Sequence, residues 1–257
     1  MSEVLTRRES QTFHIIFNRP ERLNAVNEAL YQQTLNALDS ADKDPEIRCV
    51  VLSGNGRAFC AGADLKAHKS GDRTREQREA YIILGQRVCE RIQTMKKPVI
   101  AEVQGYAIGG GAEIATSADF LLIADDAQLG FPEVAIGTYV GGGVTIRLPR
   151  LIGLRNATDL LLLGKRITGA KCLEVGLATE APPADQLKER TAALVETLVK
   201  NAPLSMARLK SAVNFPQNPD DVFRIEGEDV LAIMETEDWA EGVAAFAERR
   251  SPRFAGR

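Results

Sequence analysis

With 257 residues, 44% of them hydrophobic, the chain can bury one sizeable core, alone or with a small appendage. A formal charge of −3 and a pI near 5.6 give no chain-wide basic field, which argues against nucleic acid or an anionic membrane as the main partner; an anionic ligand would need a local basic patch. Met1–Ser10 carries Glu3, Arg7, Arg8 and Glu9 in place of a signal peptide's apolar core, and no later run reaches the roughly 18 apolar residues of a membrane helix, so the expected location is the cytoplasm.

Thr12–Phe17 is β-rich and follows a polar break at Arg8–Gln11, which predicts an opening hairpin ended by Arg19-Pro20, with His14 on its polar face. Tyr31, Leu35 and Leu38 recur at helical spacing, and Cys49–Leu52 then reads as a short buried strand closed by Gly54-Asn55-Gly56. A second cycle follows: a helix over Glu76–Met95, a strand over Pro98–Ala101, a glycine-rich turn, a short helix over Glu113–Ser117 and an apolar strand at Phe120–Ile123. Beyond Gly176 only helical spacing remains, with Leu187, Leu194 and Leu198 on one face and Met206, Leu209 and Val213 on another. Further helices are predicted over Val222–Met234 and Trp239–Ala247. The pattern predicts an α/β core over residues 1–195 and a helical region over 196–257.

Cys49, Cys60, Cys89 and Cys172 lack metal-ligand spacing and sit beside apolar residues, as buried thiols do; His14 and His68 offer no metal or nucleophile–base arrangement. The chemistry must lie elsewhere. Two segments following predicted strands stand out, Phe59-Cys60-Ala61-Gly62-Ala63-Asp64-Leu65 and Gly105-Tyr106-Ala107-Ile108-Gly109-Gly110-Gly111-Ala112-Glu113. Neither carries the Gly-Lys-Ser/Thr of a phosphate loop, and Ile114 occupies the last glycine position of a dinucleotide fingerprint. Taken alone, a triple glycine before a helix is a tight turn. The functional alternative is an oxyanion hole, in which side-chain-free turns aim two backbone N–H groups at one oxygen.

Together the two segments resemble the paired signature of the enoyl-CoA hydratase/isomerase (crotonase) superfamily. Arg19-Pro20-Glu21-Arg22-Leu23-Asn24-Ala25 is similar to the family's early R-P-x-x-x-N-A segment, Lys97–Ala101 to its central strand, and Ser251-Pro252-Arg253-Phe254 to its ending. The resemblance implies a spiral of repeated ββα turns with a C-terminal helical region used in trimer assembly, and a homotrimer or a hexamer of two trimers. It also implies an acyl-CoA substrate, an oxyanion hole from the Ala63 and Gly110 amides, and no metal or separate cofactor, coenzyme A being part of the substrate. For the coenzyme A portion it suggests Arg22, Leu23, Ala25, Ala61 and Asp64, with Lys66 as a phosphate contact.

Glu113 lies one turn into the predicted helix, and Glu133 follows twenty residues later in Gly130-Phe131-Pro132-Glu133. Singly, each has an ordinary reading, as a first-turn acid complementing the helix dipole and as a solvated loop residue. In the family's hydratases both positions carry Glu, which implies that Glu113 activates water and Glu133 serves the C2 proton. Where the family shows a G-x-x-P-G-x-G-G-T-type run bordering the acyl pocket, this chain has Gly137-Thr138-Tyr139-Val140-Gly141-Gly142-Gly143-Val144-Thr145. Val140, Val144 and the bulky Tyr139 therefore point away from a simple straight-chain acyl group. Two other outcomes belong to the same fold. One is an isomerase moving a proton between C2 and C4 with a single Glu; the other is an RNA-binding module, for which Lys69–Arg78, interrupted by Asp72 and Glu76, reads better as a solvated helix face.

Overall fold

The computed structural model describes residues 2–64, 74–215 and 219–257. Its strands are β1 (Val4–Glu9), β2 (Thr12–Phe17), β3 (Cys49–Gly54), β4 (Val99–Val103), β5 (Tyr106–Ile108), β6 (Phe120–Ile123), β7 (Gln128–Gly130) and β8 (Arg166–Thr168). The predicted opening hairpin is present, with Val4 opposite Phe17. His14, expected on a polar face, is half-buried there, its Nε2 3.6 Å from Glu9, and burial lowers its pKa. From β2 onward the main sheet is parallel, in the order β1-β2-β3-β4-β6, and a second sheet runs β5-β7-β8. Parallel strands are covered on both faces, which is why β3 reads as an unbroken Cys-Val-Val-Leu run, buried throughout.

The helices described are α1 (Glu28–Lys43), α2 (Arg75–Thr94), α3 (Gly110–Ser117), α4 (Val144–Leu162), α5 (Gly169–Glu174), α6 (Leu187–Val199), α7 (Pro203–Asn214), α8 (Pro219–Met234) and α9 (Glu237–Glu248). α1 starts where the Asn27 side chain accepts the Leu30 amide, and it buries Leu30, Tyr31, Thr34, Leu35, Leu38 and Ala41 at three- and four-residue steps. α2 opens with a reciprocal cap between Thr74 and Gln77 and packs on both α1 and α3. α6 packs on β3, β4 and β6, so the division expected at residue 195 falls inside a helix that covers the sheet; the helices that leave the sheet begin after Asn201.

All four cysteines are buried free thiols, and burial pushes each pKa up to about 12. Among the described residues no helix is long and apolar enough to cross a membrane, and no cluster of His, Cys, Asp or Glu could hold a metal ion.

Candidate active site

Two loops meet where β3 and β5 end. A parallel bridge joins Cys60 to Ala107: the Cys60 amide donates to Tyr106 O at 2.9 Å and the Ile108 amide to Cys60 O at 3.0 Å. Gly62, at φ +90°, abuts the other loop so closely that a Cβ would lie 2.6 Å from Ile108 O. Only glycine fits there.

Among the described residues the peptide bonds are trans, so each C=O points opposite to the N–H that follows it. Gly62 O accepts from Val26 N at 2.8 Å, which turns the Ala63 N–H away from Val26. Likewise, Gly109 O accepts from Glu113 N at 2.9 Å along the α3 axis, which points the Gly110 N–H outward from the helix N-terminus. No side chain caps that end, so the positive end of the helix dipole stays open to a ligand oxygen.

The carboxylates lie beside the same helix end in contrasting surroundings. Glu113, 9% exposed, receives the Gly141 amide on Oε1 at 2.6 Å. Burial raises its pKa, while the Gly141 amide and the positive charge of Arg147 oppose the rise. Glu133 is equally buried at 9% and opens a 3-10 turn behind Pro132. Its Oε1 occupies the space a Cβ on Gly109 would need, at 2.7 Å, and its Oε2 is buried with no hydrogen-bond partner among the described residues. Burial raises the Glu133 pKa, its own amide opposes this, and the charge on Glu113 raises it further.

The expected coenzyme A residues gather in one pair of loops. Arg22 is exposed on a 3-10 turn; Leu23, at φ +52°, accepts the Ala61 amide at 3.0 Å; Ala25 is buried, its carbonyl bonded to Arg19. Asp64 has its carboxylate engaged by Arg19 Nη2 at 3.1 Å, and Arg19 also pairs with Glu3 at 2.7 Å. That ion pair ties the Ala63 loop to the segment after β2. Tyr139 is 78% exposed on the loop before Gly141. Lys66 and His68 lie outside the described residues, as do residues 69–73 of the basic stretch; residues 74–78 are exposed at the start of α2, as a solvated face requires. Arg19 opens the R-P-x-x-x-N-A segment, but its ion pairs with Glu3 and Asp64, like the placement of Gly141 and Arg147, have no signal in the sequence. Gly141 stood in a glycine run already noted, but a lone arginine gives no sequence signal of burial.

The chain matches the model of the enoyl-CoA hydratase/isomerase family over residues 7–257. It is 33% identical to the 2,3-dehydroadipyl-CoA hydratase of Escherichia coli, across 100% of both chains, and 33% identical to the short-chain-enoyl-CoA hydratase of Clostridium acetobutylicum, across 97% of this chain and 96% of the other. The crystal structure of an enoyl-CoA hydratase from Bacillus anthracis superposes with a TM-score of 0.93 at 31% identity, covering 99% of this chain and 100% of that one. An enoyl-CoA hydratase structure from a Polaromonas species gives 0.94 at 28% identity, covering 98% and 99%.

Proposed function

The chain belongs to the enoyl-CoA hydratase/isomerase family, and on that premise we infer that Glu113 and Glu133 are the acid–base pair with which it acts on its thioester. The activity is that of an enoyl-CoA hydratase, the reversible addition of water across the C2–C3 double bond of an α,β-unsaturated acyl-CoA. The contrast between the two carboxyl environments carries the assignment. Burial raises both pKa values; Glu113 in addition has an amide donor and a nearby cation that favour its charged form, whereas Glu133 has a buried oxygen without a donor and a negative neighbour that favour its protonated form against the pull of its own amide.

In this reading ionised Glu113 takes a proton from water as its oxygen bonds to C3. The π electrons move toward the thioester oxygen, where the Ala63 and Gly110 amides receive the enolate charge, and Glu133 delivers its proton to C2. Each oxyanion donor is worth roughly 3 to 4 kcal/mol, and acid–base assistance about 10² to 10⁴ in rate. Turnover leaves Glu113 protonated and Glu133 ionised, so one proton must pass back between them. Nothing in this sequence calls for an electron carrier or a metal ion. Arg22, Leu23, Ala25 and Ala61 would line the coenzyme A end, with Lys66 on a phosphate and Asp64 held by Arg19.

The test is loss of enoyl-thioester absorbance across a panel of short, branched, cyclic and aromatic unsaturated acyl-CoA thioesters, repeated with Glu113→Gln and Glu133→Gln. Each substitution is expected to lower kcat at least about 10³-fold, from loss of proton transfer and of charge placement together. If either variant keeps its rate, the two-carboxylate assignment fails and a single carboxylate carries the proton transfers.

A further inference from the structure

Arg147 lies in the first turn of α4 with its guanidinium buried between the C-terminal end of α3 and the glycine turn at 141–143. Nη1 donates to Gly142 O at 3.0 Å. Nη2 donates to Ser117 Oγ at 2.9 Å and reaches Thr116 Oγ1 and Glu113 O, each at 3.4 Å. Nε is buried with no partner among the described residues.

No carboxylate bonds this guanidinium among the described residues; its hydrogen-bond acceptors are two carbonyls and two hydroxyls. A buried cation without a bonded counter-ion is costly, and replacement by an apolar side chain commonly costs nothing or stabilises. Its position accounts for its presence. The carbonyl it holds, Gly142 O, lies one residue beyond the Gly141 amide that grips Glu113 Oε1. The other side of the guanidinium meets the last turn of α3, where a cation complements the negative end of the helix dipole. Arg147 thus joins the helix bearing Glu113 to the turn that clamps the Glu113 carboxylate, and supplies a positive charge to the same group.

We propose that Arg147 is a positioning residue for the hydration step, holding the 141–143 turn against α3 so that the Glu113 carboxylate stays in place and ionised. The proposal rests on the assignment of Glu113 as the group that activates water. Among the described residues, the other titratable groups facing this pair are Cys89 on α2, Cys60 beside the bridge to β5, Tyr31 on α1 and Glu133. The thiols and the phenol are neutral at pH 7, so an acidic limb in the rate profile reports the carboxyl pair.

The experiment compares kcat, KM and the pH profile of kcat for the full chain and its Arg147→Gln, Arg147→Lys and Ser117→Ala variants on one hydrated thioester. Arg147→Gln is expected to lower kcat about 100-fold, the scale of a misplaced reacting group, with KM changed by less than about threefold. Its acidic limb should move to higher pH, because losing the cation makes Glu113 harder to ionise. Arg147→Lys restores the charge without the fork, and should return the limb to its place while recovering only part of the rate. If Arg147→Gln is too unstable to isolate, Ser117→Ala removes the 2.9 Å bond alone and should lower kcat several-fold without moving KM.

A folded Arg147→Gln enzyme with unchanged kcat and limb overturns the proposal, as does a rise in KM alone, or an unchanged kcat in Ser117→Ala where the Gln variant cannot be isolated. Glu113→Gln run alongside separates the two ideas. If it retains activity, the assignment of Glu113 is wrong; if it is inactive while Arg147→Gln is normal, only the role of Arg147 is wrong.

Discussion

The raised pKa of Glu133 has a consequence for stability. Below its unfolded pKa near 4.5 the carboxyl is protonated in both states and costs nothing. As pH rises through 4.5 the unfolded chain releases the proton while the folded chain retains it. Folding therefore weakens until the raised folded pKa is passed, and the penalty then stays. Glu133→Gln should remove it, raising Tm at pH 7 with no gain near pH 4. Thermal unfolding of both forms at the two pH values checks this, and an equal gain at pH 4 would point to packing instead of charge. At this scale the sequence named both carboxylates, but only through a resemblance, since each alone passes for an ordinary first-turn or loop acid. What it could not disclose was the contrast between them, because the Gly141 amide and the Arg147 charge arrive from 28 and 34 residues beyond Glu113.

At the scale of elements, α7 is fastened to the core by a buried ion pair. Lys210 Nζ donates to Ile92 O at 2.7 Å, Lys97 O at 2.8 Å and Asp119 Oδ2 at 2.6 Å, and Asp119 also accepts the Val99 amide at 2.7 Å. Burial lowers the lysine pKa and raises the aspartate pKa, so each ion depends on the other. Lys210→Met should cost about 3 kcal/mol in urea unfolding at fixed protein concentration, because it strands a buried carboxylate; adding Asp119→Asn should recover part of that loss. A double variant as unstable as the sum of the singles would deny the coupling. Elements with strong periodicity, α1, α2 and β3, were legible in the sequence to within a few residues. α4 was not: Pro149 lies within it and Gly153 breaks it at φ +75°, ψ +156°, so no continuous apolar stripe forms. The second sheet also escaped, since β5, β7 and β8 have three residues each, too few to display a period of two.

Over the whole molecule, large apolar side chains remain on the outside of α4 and of the terminal helices. Leu154 is 73% exposed, Phe223 84% and Phe246 88%, in a chain whose core is otherwise well covered. Apolar area of this kind favours self-association, and we propose the homotrimer or pair of trimers that the family resemblance implies. Sedimentation equilibrium should give a mass that is a multiple of three times 28.0 kDa, and unfolding midpoints that rise with protein concentration. A 28.0 kDa species at micromolar concentration would contradict this. The helical tail was visible as periodicity in the sequence, but the seam between tail and core was not, because α6 has the same helical spacing as the tail helices while packing on the sheet.

The depth at which the thiols are set has a chemical consequence. An α,β-unsaturated thioester is a Michael acceptor, and the nucleophile it meets most readily in proteins is a thiolate. Cys60 and Cys89 lie against α3 and the glycine turn at 141–143; a Cβ on Gly111 would sit 2.8 Å from Cys60 Cβ, and one on Gly142 2.8 Å from Cys89 Sγ. With pKa values near 12, fewer than about one in 10⁴ of either would be ionised at neutral pH. Sulfur can therefore stand beside a site that handles an electrophile without being alkylated by it, leaving water as the nucleophile that adds.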